Sequence, residues 1–248
     1  MVTGYTFSDF VGDFAAIRLN ADGSLDTSFG TDGVVIVDNG GSEVSESMVL
    51  LEDESFIIVG YHNDTFTVAK FTKEGAIDTS FGNNGWTMVP LGDALSYTKD
   101  IALTPEGDII IAGSILSTNN SWQMAVAKIK ANGTPDTDFS SNGTRIYNVG
   151  EDNDFIEAVT VQNDRKILLG GQTWMESGPL KYDVAVVRLN ADGSFDTSYG
   201  DNGVSRVSVV NGENYTNRMI LQPRRKAFDN QIFKDREFYR FYFNPSQC

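Results

Sequence analysis

One short motif recurs four times along this chain, and recurrence of that kind limits the fold more than composition does. The pair Asp-Thr stands at Asp26-Thr27, Asp78-Thr79, Asp136-Thr137 and Asp196-Thr197, at steps of 52, 58 and 60 residues. Around it, residues 18–30 read RLNADGSLDTSFG and residues 188–200 read RLNADGSFDTSYG. The two middle copies are looser, KFTKEGAIDTSFG from Lys70 and KIKANGTPDTDFS from Lys128. Each copy runs on into a glycine turn, at Asp32-Gly33, Asn84-Gly85, Asn142-Gly143 and Asn202-Gly203.

Four short apolar runs fill each unit. First strands are expected at 47–51, 100–103, 156–161 and 219–221. Second strands, each ending in Gly, are expected at 56–60, 109–113 and 167–170, and third strands at 14–19, 66–71, 124–129 and 184–189. Fourth strands fall at 34–37, 86–89, 144–149 and 204–209. The runs are rich in β-branched and aromatic residues and bounded by turn residues. Many are apolar without alternation, the pattern of strands covered on both faces. The prediction is an all-β chain, a β-propeller-type repeat of about four four-stranded antiparallel blades. It is read either as a closed ring or as an open arc of a larger propeller.

The run NADGSxDTSFG, preceded by an apolar stretch ending in Arg-Leu, resembles the bacterial delta-60 repeat over residues 1 to about 223. The resemblance implies a propeller-like fold with no assigned biochemical function. It also implies a bacterial, secreted or cell-surface location, and further repeats of a longer parent chain.

Residues 1–223 therefore form the expected repeat region. The chain opens on Val2-Thr3-Gly4-Tyr5, which aligns with Val59-Gly60-Tyr61, and its repeats end on a first strand. That strand could pair with the first unit and close the ring; a piece of a longer array is the favoured expectation. Residues 224–248 match no unit and are read as an atypical basic, aromatic tail, either of the sort a frame slip would produce or a genuine basic-aromatic terminus. Up to residue 217 there are 12 Lys+Arg against 31 Asp+Glu, and from Arg218 onward 7 against 3. So acidic a body argues against nucleic acid as a partner, since phosphate binding needs clustered cations. No stretch approaches the roughly 20 apolar residues of a spanning helix, and no signal peptide is expected from the first residues. The lone cysteine, Cys248, excludes an intrachain disulfide.

Candidate chemistry is sparse. No GxSxG, phosphate loop or HExxH run occurs, and His62 is the single histidine, expected in an exposed loop. No catalytic residue is predicted, and no cofactor. Asp26, Asp78, Asp136 and Asp196 are expected to cap turns, with Phe29, Phe81, Phe139 and Tyr199 inserted between blades. A basic residue precedes each Asp by eight positions, at Arg18, Lys70, Lys128 and Arg188, and suggests a repeated ion pair. Alternating oxygens at Asn20, Asp22 and Asp26, and at Asn190, Asp192 and Asp196, also resemble calcium ligands. Unlike the constant motif, the connections opposite it differ in every unit and carry aromatics, among them Tyr5, Tyr61, Trp122, Trp174 and Tyr182. Constant turns on one side and divergent loops on the other suggest a scaffold and a binding face. The leading expectation is a non-catalytic binding or adhesion scaffold for a protein or carbohydrate ligand. A propeller-based hydrolase or lyase is the alternative, and a calcium-stiffened structural surface repeat the third reading.

Overall fold

The computed structural model describes residues 1–8, 11–91, 95–150, 152–174, 182–208, 214–221 and 239–242. All regular structure among them is strand. β1 (Val2–Ser8), β2 (Val11–Ile17) and β3 (Val34–Val37) make a three-stranded sheet. The next sheet holds β4 (Glu43–Leu50), β5 (Phe56–His62), β6 (Thr65–Phe71) and β7 (Trp86–Val89). A third is built from β8 (Ser96–Leu103), β9 (Ile109–Leu116), β10 (Trp122–Ile129) and β11 (Thr144–Tyr147). A fourth takes β12 (Asp154–Val161), β13 (Ile167–Trp174), β14 (Tyr182–Leu189) and β15 (Val204–Val207). Every pairing is antiparallel between sequence neighbours. One motif copy lies between the third and fourth strands of each unit, as its spacing predicts.

The core lies between sheets. Phe14, Phe29 and Val35 of the first unit pack on Phe56, Ile58 and Phe71 of the second. Ile57, Val59, Phe66 and Phe81 then meet Ile109, Ile111 and Ala125, and Ile110, Met124 and Phe139 meet Ile156, Leu169 and Val187. Burial on both faces explains the unbroken apolar runs: five consecutive residues of β5, from Phe56, are buried. Across the units β4, β8, β12 and β16 (Arg218–Leu221) stand beside one another at the inner edge of the arc.

The motif makes a recurring set of contacts. Asp26, Asp78, Asp136 and Asp196 each accept the backbone N–H two residues on, at 3.1 Å. Each also meets its basic partner: Arg18, Lys70, Lys128 and Arg188 stand 2.8, 3.1, 2.7 and 2.7 Å away. Phe29, Phe81 and Phe139 are fully buried against the following unit, and Tyr199 is partly buried beneath the Arg188 guanidinium. Gly30, Gly82 and Gly200 adopt positive φ, where a side chain would be strained. Ser140 stands in that place in the third unit, and the turn there closes from Gly143 to Ser140 instead of to the ring residue.

Several expectations change. First strands begin earlier than predicted, at Glu43, Ser96 and Asp154; each contains a bulge, which in β4 and β8 falls just ahead of the expected run. Among the described residues the sheets do not close into a ring, and the first has three strands. β16 pairs with β17 (Tyr239–Tyr242). The rest of the 224–248 tail lies outside the described residues.

Candidate functional site

The site is built at the end of the units opposite the motif. There β5 and β6 join through a two-residue turn, Asn63-Asp64, with both residues at positive φ, as a tight type I′ hairpin requires. Incoming first strands are tied to these hairpins. Ser96 donates its N–H and hydroxyl to the Asp64 carbonyl at 3.0 and 2.6 Å. Trp122 donates its N–H to the Asn153 side chain at 2.9 Å, and Asn214 donates its N–H to the Tyr182 carbonyl at 3.0 Å. The starts of β8, β12 and β16 are thereby held beside the outer ends of the preceding unit's strands.

These ties bring aromatic rings into a continuous row. Tyr61 on β5 meets Tyr97 on β8 with centroids 5.2 Å apart, and Tyr97 stacks on Trp122 of β10 at 5.4 Å. Trp122 meets Phe155 of β12 at 5.8 Å, Phe155 meets Tyr182 of β14 at 6.2 Å, and Tyr182 meets Tyr215 at 5.8 Å. Trp174 joins from the side, 5.1 Å from Tyr182. Such offset and edge-on pairs are individually favourable and hold each ring in place. Tyr61, Tyr97, Trp122, Phe155, Trp174 and Tyr182 are half-buried, and Tyr215 is exposed. Burial, reinforced by the Glu46 carboxylate, raises the Tyr61 hydroxyl above its ordinary value.

The structure brings together Tyr61, Trp122, Trp174 and Tyr182 of the sequence candidates, but not in loops. They sit at strand ends: Tyr61 on β5, Trp122 on β10, Trp174 on β13 and Tyr182 on β14. Tyr5 also lies on a strand, β1, half exposed. Sequence reasoning missed Tyr97, Phe155 and Tyr215. A signal was present: they recur at the same 58- and 60-residue steps as the motif.

A second group lies on the inner strands. Glu46, Lys99 and Glu157 are the extra residues of the three bulges. Burial raises both carboxyl groups, while Lys99 acts to lower them. Beside the bulge Asp100 joins three units: it accepts the Ser47 hydroxyl at 3.0 Å on one oxygen and the Val159 N–H at 2.9 Å on the other.

The proposed calcium positions are otherwise engaged. Asp22 and Asp192 accept the N–H and hydroxyl of Ser24 and Ser194, while Asn20 and Asn190 donate to those hydroxyls. Asp26 and Asp196 face their basic partners. Three acids do converge among the described residues, but they are Asp13, Asp38 and Glu43. His62 is not a loop residue either; it ends β5, with 12% of its side chain exposed and Nδ1 at 2.5 Å from Glu43.

Over residues 1–29, 104–139 and 162–199 the chain matches a family described as "Domain of unknown function (DUF5122) beta-propeller". The fold is a β-propeller-type repeat. No curated protein matches the chain. Among solved structures, one titled "Streptogramin B lyase structure" is similar at 12% identity and a TM-score of 0.41, over 88% of this chain and 72% of that one. The matched segments of the family cover β1 and three of the four motif copies of this propeller repeat.

Proposed function

We propose that this propeller repeat is a non-catalytic binding scaffold whose ligand is a carbohydrate laid along the ring row. The observation that carries the reading is the row itself. It crosses from the second unit to Tyr215, with successive centroids 5.2–6.2 Å apart. The apolar face of a sugar ring packs on a partly exposed aromatic face, and a row of such faces suits an extended chain of sugars. An acidic body, with Asp64 at a hairpin beside the row, disfavours polyanionic ligands. A delta-60-type repeat at the cell surface, within a longer parent chain, accompanies this reading.

Affinity gel electrophoresis against a panel of neutral soluble polysaccharides tests it. Trp122→Ala and Tyr182→Ala are each expected to weaken retardation by about tenfold, the ordinary effect of removing a central aromatic anchor. Retardation unchanged in both variants sinks the reading. The raised carboxyl groups of Glu46 and Glu157 beside Lys99 favour a second reading, a hydrolase or lyase acting at the inner strands. Bond cleavage in the same samples, lost in Glu157→Gln, would establish that one instead.

A further inference from the structure

Three carboxylates meet between the first two units. Asp13 on β2, Asp38 just past β3 and Glu43 at the start of β4 each bring an oxygen within 4.8 Å of the other two. Glu43 is 0% exposed. Its Oε1 faces His62 Nδ1, and its Oε2 has no hydrogen-bond partner. A buried carboxylate oxygen with no donor is strongly disfavoured, and two more acids beside it add repulsion.

The repeat supplies its own comparison. Asp154 holds the equivalent place in the fourth unit and is also 0% exposed. There the acid is saturated: Thr173 donates its hydroxyl to Oδ1, and the Val149 and Gly150 N–H groups donate to Oδ2 at 2.8 and 3.1 Å. In the second unit the donors go elsewhere. The Gly40 N–H is spent on Asp38 at 2.6 Å, and among the described residues Asp13 receives the Thr6 hydroxyl at 3.3 Å. Among the described residues His62 is the one basic group paired with any of the three.

We propose that Asp13, Asp38 and Glu43 form a calcium site that clamps the first unit to the second. The donors are all carboxylate oxygens, the chemistry of a hard cation, whereas zinc would draw on nitrogen or sulfur. His62 has Nδ1 on Glu43 and Nε2 at 3.0 Å from the Asn63 amide, so it orients a ligand instead of serving as one. Asp38 is exposed and gives the ion a way in.

Isothermal titration of the chelator-treated full chain with calcium chloride, paired with thermal melts, tests the site. Calcium at about tenfold over Kd is expected to raise Tm by roughly 3–6 °C. Asp38→Asn and Asp13→Asn are expected to abolish both the heat and the shift. Asp38 is exposed, so its variant stays informative even where Glu43→Gln fails to fold. The double variant Asp22→Asn/Asp192→Asn is expected to keep both signals. An unmodified chain with no calcium response overturns the proposal. So does a response that survives in Asp13→Asn/Asp38→Asn, or one lost in Asp22→Asn/Asp192→Asn. A ring row that fails to bind sugars leaves this test untouched.

Discussion

Asp196 and Asp26 hold the same place in their units but not the same environment. Asp26 has a side chain 26% exposed and one basic partner, Arg18. Asp196 is 5% exposed and receives both Arg188 and Lys166, at 2.7 and 2.8 Å. Burial alone would raise the Asp196 carboxyl; the bonds from Lys166 and Ser198 and the charge of Arg188 outweigh it and hold it well below the usual range. Asp196→Ala strands two packed cations and is expected to lower stability by about 1–3 kcal/mol in urea melts. Asp26→Ala is expected to cost less, and equal losses would count against the argument. The sign with pH follows from the depressed value. The contribution of Asp196 is complete above the unfolded carboxyl value of about 3.9 and disappears as pH falls through its lower folded value.

At the scale of the strand, the bulge decides most. It drives the carbonyls of Val44, Tyr97 and Phe155 toward the facing strand, where the opposite residues are Gly60, Gly113 and Gly171. A Cβ at any of these would fall inside the shell of that oxygen. Gly4 holds the same place on β1 and would meet nothing within 4 Å. Gly171→Ala is therefore expected to cost about 1–3 kcal/mol or more, and Gly4→Ala to stay within about 0.5 kcal/mol of the parent in the same melts. Similar effects at the two sites would remove the bulge as the cause. This is also where the sequence was only half legible. Gly60 and Gly113 could be seen to end second strands, while in the fourth unit the run was expected to end at Gly170 and not Gly171; the reason for these glycines was hidden because it lies in the partner strand. The bulge residues Glu46 and Lys99 interrupt the apolar pattern, which is why β4 and β8 read as shorter than they are, whereas the run expected at 156–161 already spans Glu157 and misses only Asp154 and Phe155. Tyr97 lies ahead of Lys99 and was lost with the start of β8, while Phe155 falls one residue ahead of the expected run. His62 read as a loop residue because Asn63-Asp64 follows it, although that pair is only the hairpin turn.

For the molecule as a whole, the inner edge works against the motif as pH changes. Glu46 and Glu157 have folded values raised above their unfolded ones, so between those values the folded chain holds more protons than the unfolded chain. Stability must then fall as pH rises through that window, opposite to the effect of Asp196. Relative to the parent, the double variant Glu46→Gln/Glu157→Gln is expected to gain in urea midpoint as pH rises from about 4 to about 7. A difference that stays constant with pH would refute the inner-edge argument. The fold itself was readable from four motif copies, since each contributes the same turn, ion pair and ring. The ring row was not, because it depends on how units meet.

The joints between units also have a direction. Gly30 donates its N–H to the Glu74 carbonyl, Gly82 to that of Asn132, and Arg18 reaches the Lys73 carbonyl, in each case onto the turn that follows. Tyr147 does the same for Gly193 where Ser140 has altered the turn. Each of these three joints thus sets donors of one unit against a turn carbonyl of the next. A gene encoding such a chain can gain or lose a whole copy and still present matching ends at the new junction. Change by unequal recombination would then alter the length of the ring row while leaving its spacing intact.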